Sequence, residues 1–240
     1  MTAVSSLPAT PAAAPGRRRA DAEAARYGVL RRLAPALKHD MVVNLQAVAM
    51  MAEVLNARLE KGTPAGGDLQ KQVSKINRLA REAVLNCLQV AAWIEPSEDE
   101  GIRLREGVDE CVALLRSNFN FRGFSVDNQV PDSGFEVSRV KLRNLLAAVL
   151  ISLTDEAHSP GELLVQAQVG GGWASLSIVF VPRQEEDAAL PPFEPNYRAL
   201  DWADVQALAA AESVELSREE GPVALRLPRM TATPLQIVPL

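Results

Sequence analysis

Cysteine is scarce. Cys87 and Cys111 stand alone in 240 residues, with neither the paired spacing of a zinc site nor the number that a disulfide framework needs. Both fall in helical patterns and read as small core residues, and a reducing, cytoplasmic setting is the expectation. Basic charge is also short. Lys and Arg total 25 against 30 Asp and Glu, a net charge of −5, which argues against sequence-independent binding to nucleic acid. The one dense basic cluster, "GRRR" at 16–19, reads as a solubilising flank. Long apolar runs are missing too. The longest, "LLAAVLISL" at 145–153, falls well below the roughly 20 residues that span a bilayer, so no membrane segment is expected. "MTAVSSLPATPAAAPG" has no basic start followed by an apolar run, so no secretory signal is expected.

What is present is an ordinary soluble composition, 48% apolar and 23% charged, enough for one large domain or two ordinary ones. Residues 1–20 are Ala/Pro/Ser/Thr-rich and predict a disordered tail, because they bury too little to offset ordering entropy. From Asp21 the pattern turns helical. Leu30, Leu33, Leu37, Met41, Leu45, Val48, Ala52, Leu55 and Leu59 recur at spacings of three and four, the rhythm of a bundle seam. "KGTPAGG" at 61–67 breaks it. A second stripe runs through Leu69, Val73, Ile76, Ala80, Ala83, Cys87, Val90 and Ile94, behind Asp68 as N-cap and ahead of Pro96. Residues 21–95 therefore predict a helical hairpin. One hairpin cannot cover both sides of its own apolar surface, so two copies should pair as a four-helix bundle.

Beyond the linker "EPSEDEG" at 95–101 the texture changes. "IRL" reads as a short strand, and "REGVDECVALLRSNFNFRG" as a helix with Val108, Val112 and Leu115 on one face. "FSVDNQV" and "GFEVSRV" alternate around the turn "PDSG", and "ELLVQAQV"–"GGG"–"WASLSIVFV" is a hairpin signal. Asp201 is the N-cap of a further helix, and "VELSREEGPVALRLPR" closes with two strands. The fold class is α+β: a helical hairpin forming a dimeric bundle, then an α/β sandwich over 101–229, then a tail at 230–240.

His39 and Asp40 sit on the polar side of the first helix, two residues from both Leu37 and Met41. With Leu45 six positions after the histidine, this pattern resembles the phosphoacceptor box of two-component sensor histidine kinases. Asn44 stands where that family often has proline, and Pro35 lies one turn before the histidine instead. Residues 102–229 resemble the family's ATP-binding domain by element order. The resemblance implies that His39 carries phosphoryl, that Asp40 acts as acid/base or orienting group, and that Lys38, Arg31 and Arg32 counter phosphoryl charge. A Thr or Asn four places after the histidine orients water in family members with phosphatase activity. Val43 occupies that position here.

The departures matter as much. The positions matching the family's magnesium-ligating asparagine box are Ala148 and Ser152, and "VPRQEED" stands where an Asp-x-Gly-x-Gly motif should recognise adenine. No later glycine-rich loop offers the free amides that cradle phosphate. "GGG" at 170–172 reads as a turn. His158, the acidic run Glu185, Glu186 and Asp187, and the three tryptophans Trp93, Trp173 and Trp202 read as structural or solvated. The resemblance then implies a histidine phosphotransferase without ATP and with no bound cofactor, relaying phosphoryl between receiver-domain aspartates, the receiver supplying its own magnesium. A non-catalytic pseudokinase scaffold and a divergent ATP-dependent kinase are the alternatives. The expected partners are a second copy and response-regulator receiver domains, with no nucleic acid and no membrane.

Overall fold

The computed structural model describes residues 15–62, 66–94, 100–183, 198–219 and 221–230. Most of the Ala/Pro-rich start, the centre of the inter-helix loop, most of the 95–101 linker, the acidic run with the Pro-rich stretch after it, and the tail beyond Met230 lie outside the described residues.

The chain is α+β. Helix α1 spans Pro15–Lys61 and helix α2 spans Gly66–Ile94. α1 begins six residues before Asp21, so part of the expected tail is helical. The two helices differ in length by 47 residues against 29, or roughly 70 Å against 43 Å at 1.5 Å per residue. α1 therefore overhangs the hairpin at its N-terminal end, and this arm packs on the second domain.

That domain runs β1 (Gly101–Arg103), α3 (Leu104–Phe121), β2 (Phe124–Asn128), β3 (Glu136–Ser138), α4 (Arg139–Glu156), β4 (Gly161–Gly170), β5 (Trp173–Pro182), α5 (Trp202–Ala211), β6 (Glu215–Arg218) and β7 (Val223–Pro228). A five-stranded sheet has the order β2-β4-β5-β7-β6, with β2 parallel to β4 and the remaining pairs antiparallel. β4 and β5 form the expected hairpin. Gly171 and Gly172 both take positive φ (58° and 82°) in its two-residue turn, the conformation such turns demand. β2 and β3, expected around one turn, do not pair with each other: β3 pairs with β1 in a separate two-stranded sheet. Alternation showed that each was half-buried, but it carries no information about the partner strand. Asp201 is the N-cap of α5, in a reciprocal capping box with Asp204.

Helix α4 shows why the arm is there. Val140 and every residue from Leu142 to Thr154 are buried, and a helix that is apolar all round must be covered all round. The sheet covers one side and the α1 arm helps cover the other. Ala22, Ala25, Val29, Leu33 and Leu37 are buried on α1, the last four within the same cluster as the second domain's core. Alanines at the first two positions let the helices approach closely. Leu33 and Leu37, expected in the bundle seam, thus belong to the junction with the second domain. The seam rhythm is right, but the surface that receives its first third is α3, α4 and α5 rather than a second hairpin.

A buried ionic cluster fixes the junction. Arg32 of α1 donates to Asp155 at the end of α4, with side-chain exposures of 1% and 3%. Arg122, the C-cap of α3, donates to the other Asp155 oxygen at 2.9 Å and to the Thr154 carbonyl at 2.7 Å. The backbone N–H of Leu200 donates to Asp155 at 3.1 Å. One carboxylate thus ties together the bundle helix, two helices of the second domain and the approach to α5. Removing one member of a buried ion pair leaves an uncompensated charge, a loss of about 3–5 kcal/mol. Asp155→Ala should lower the urea-unfolding free energy by about that much. A change below about 1 kcal/mol would show that the cluster contributes little.

Candidate functional site

Helix α1 presents His39 and Asp40 to solvent, with side-chain exposures of 73% and 60%. His39 Nδ1 lies 3.2 Å from Asp40 Oδ1. A carboxylate on Nδ1 favours the tautomer in which Nδ1–H donates to Asp40, and this leaves the Nε2 lone pair free. That pairing orients the imidazole without burying it, so the ring can meet a reacting group brought by a partner.

The five residues expected at the site do not all gather there. Lys38 is exposed beside His39. Arg31 is exposed, two turns away, and donates to Tyr27 Oη at 3.3 Å. Arg32 is only 3% exposed and is committed to Asp155. It therefore cannot counter phosphoryl charge at the surface, and the expectation for it is corrected. The reason is angular: Arg32 lies next to Leu33 and one turn after Val29, within the stripe that faces the second domain.

The hairpin below His39 has two apolar flanks. Taking about 100° per residue, Val42, Leu45 and Leu59 fall on one side of α1, and Val73, Val84 and Leu88 on one side of α2; all are exposed. Antiparallel packing brings these to the same side of the hairpin. An apolar groove of about 330 Å³ lined by Leu30, Ala34, Met41, Leu45 and Val90 belongs to this flank. Cys87 is exposed in the single chain and falls beside Val73 and Val84 on the same flank of α2. On the opposite side of α1, Val43, Met50 and Val54 are also exposed, and they share their flank with His39.

Between the hairpin and the second domain lies a cleft of about 220 Å³ lined by Leu37, Asp40, Trp93, Glu110, Cys111 and Arg143, among others. Arg143 of α4 stacks 4.1 Å from the Trp93 ring and donates to the Ala92 carbonyl at 2.5 Å. It thereby supplies the cation that the last turn of α2 lacks. Arg139 bonds Glu110 at 3.2 Å and pairs with Glu100 at 2.9 Å. Burial raises the Glu110 carboxyl against the opposing pull of Arg139 and Arg143, and burial lowers the Arg143 guanidinium. Nothing along the chain points to this clamp, because Trp93 has no basic neighbour in sequence. Trp173 and Trp202 likewise lie under Arg226 and Arg218.

In the second domain Ala148 is 0% exposed and Ser152 is 1% exposed. The Ser152 hydroxyl donates to Glu156 at 3.2 Å. Among the described residues no cluster of His, Cys, Asp and Glu could hold a metal ion, and no helix is long and apolar enough to cross a membrane.

No family model matches the chain, and no curated protein matches it. Solved structures do. The histidine kinase AdeS of Acinetobacter baumannii is 15% identical over 77% of this chain and 98% of its own, at a TM-score of 0.41. A bacterial phosphotransferase is 17% identical over 92% of this chain and 100% of its own, at 0.36. The blue-light activated histidine kinase EL346 of Erythrobacter litoralis is 17% identical over 71% of this chain and 66% of its own, at 0.42. Identities and scores this low transfer no residue role.

Burial pushes the Cys111 thiol up to about 12, and a thiol reacts as its thiolate. At pH 8.5 Cys111 should therefore stay unlabelled by a maleimide in the folded protein and react on unfolding. Rapid labelling of Cys111 in the native state, read by peptide mass spectrometry, would show that the junction opens.

Proposed function

We propose that this chain is a dimeric histidine phosphotransfer protein. His39 takes phosphoryl from an aspartyl-phosphate on one receiver domain and returns it to the aspartate of another. The observation that carries this reading is the exposed His39–Asp40 pair, with Nδ1 engaged and Nε2 free. Nε2 attacks phosphorus, an N–P bond forms, the P–O bond to the acyl oxygen breaks, and the donor aspartate leaves as a carboxylate. The second transfer reverses these bonds on a different receiver. Magnesium and the acceptor carboxylate belong to the receiver, and Lys38 is the nearest exposed cation of this chain.

In this reading the two apolar flanks have different occupants. The flank of Leu45 and Val73, which combines exposed apolar residues of both helices with the apolar groove and Lys38 at its edge, faces a second copy, completing a four-helix bundle. The flank of Val43, Met50 and Val54 continues directly from His39 and receives the partner. The second domain works without nucleotide: the positions that would need an amide ligand for magnesium hold Ala148 and Ser152, and both are buried. A non-catalytic scaffold would use the same surfaces without a phosphohistidine, which makes the label on His39 the deciding observation.

Two outcomes follow. His39→Gln should abolish acid-labile labelling by phosphorylated receivers while changing stability by no more than about 0.5 kcal/mol, since the ring is exposed. Asp40→Asn should slow transfer at or below the low end of the roughly 10²–10⁴-fold range of acid–base partners, because the acyl phosphate is already activated. Acid-labile label on the Gln variant would exclude His39 as acceptor. Separately, Leu45→Asp with Val73→Asp should give monomers or aggregates by light scattering. Each apolar side chain is worth roughly 1.5–3 kcal/mol when fully buried, so an unchanged dimer mass would place the interface elsewhere.

A further inference from the structure

Four helices meet at the cleft between the hairpin and the second domain. α1 brings Leu37 and Asp40, α2 brings Trp93, α3 brings Glu110 and Leu114, and α4 brings Arg139 and Arg143. Junctions between domains are preferred places for small-ligand sites. This one holds two carboxylates and two guanidiniums, and they do not fully satisfy one another. Arg143 is 8% exposed and donates to the Ala92 carbonyl rather than to a carboxylate. Its Nε is buried without a hydrogen-bond partner, and so is the Nε of Arg139. Burial shifts Glu110 and Arg143 in opposite directions, each toward its neutral form. A carboxylate and a guanidinium that both lean toward neutrality in one cleft are each under-compensated.

We infer that this cleft is a binding site for a small zwitterion, a free α-amino acid with a compact apolar side chain. Its ammonium goes to Asp40 and Glu110, its carboxylate to Arg139 and Arg143, and its side chain to Leu37 and Leu114. Charge selects the class. A simple anion would face both carboxylates and a simple cation both guanidiniums, and like charges brought together repel. A zwitterion adds one group of each sign and leaves the sum unchanged. Size selects within the class. The cleft holds about 220 Å³, below the roughly 300–1,000 Å³ of sites for drug-sized ligands. It is too small for a nucleotide and suits an amino acid the size of valine or leucine. Asp40 also lies 3.2 Å from His39 Nδ1, so an occupant and the imidazole draw on one carboxylate. Binding itself needs no phosphohistidine, and its test is separate from that of the phosphotransfer reading.

The test is calorimetric titration of the full chain with L-leucine and with two matched probes: 4-methylpentanoate, which lacks the ammonium, and 3-methylbutylamine, which lacks the carboxylate. L-Leucine should bind with a Kd of about 1 mM or tighter. Each matched probe should bind about tenfold or more weakly than leucine, the loss of one charge-assisted group. Two variants place the site. Glu110→Gln removes a charge without removing volume, and Ala113→Phe fills the cleft from an exposed position of α3. Each should weaken leucine about tenfold or more, with far-UV circular dichroism unchanged. No binding of L-leucine, L-valine or L-methionine up to about 10 mM would overturn the proposal. So would a matched probe that binds as tightly as leucine, or leucine binding left unchanged in either variant, which would place the ligand elsewhere.

Discussion

Asp155 accepts from Arg32, from Arg122 and from the Leu200 backbone, with its side chain 3% exposed. A carboxylate that far from water must be compensated on all sides, and its partners come from α1, the end of α3 and the approach to α5. Because Arg32 is only seven residues from His39, the position of the second domain relative to His39 follows from this one cluster. Around it the alanine contacts of α1 with α5 and the Arg143–Trp93 clamp on α2 fix two further points. Three attachments on different elements leave little freedom for a swinging domain.

That constraint bears on chemistry. A domain that phosphorylates a histidine on its own chain must move between a nucleotide-loaded position and the histidine. Here the helix that carries His39 is also part of the second domain's packing, and α4 is covered on both sides. In the proposed reading the second domain does not deliver phosphoryl; it shapes the approach of a partner that does. The exposed His39 and the apolar flank of Val43, Met50 and Val54 would be parts of such an approach, and both lie on α1 rather than on a loop.

Much of this was legible in the sequence. Spacings of three and four residues gave α1 and α2, alternation gave the β4–β5 hairpin, and Asp201 marked the start of α5. The polar-side placement of His39 and Asp40 followed from their distance to Leu37 and Met41. What stayed hidden has a common cause. Periodicity says which face of an element is buried and not against what. The stripe through Leu33 and Leu37 looked like bundle seam, and only the packing of α3, α4 and α5 shows where it goes. Arg32 looked like a surface cation because its partner, Asp155, is 123 residues away. The one available hint was compositional: Ala22 and Ala25 at the head of the stripe are too small for a leucine-rich bundle seam and suit a close helix crossing. β2 and β3 failed for the same reason, since alternation does not name a strand's neighbour.

The claim on which the rest depends is that the α1 arm and the second domain open together. Native-state hydrogen exchange measures this directly, because amides that open in one cooperative unit share one opening free energy. The amides of Val29 to Leu37, Pro35 excepted because it has no N–H, should be as strongly protected as those of α4, with the same dependence on denaturant. Arm amides that exchange orders of magnitude faster while α4 stays protected would contradict the account, and would restore to the second domain the mobility that a kinase needs.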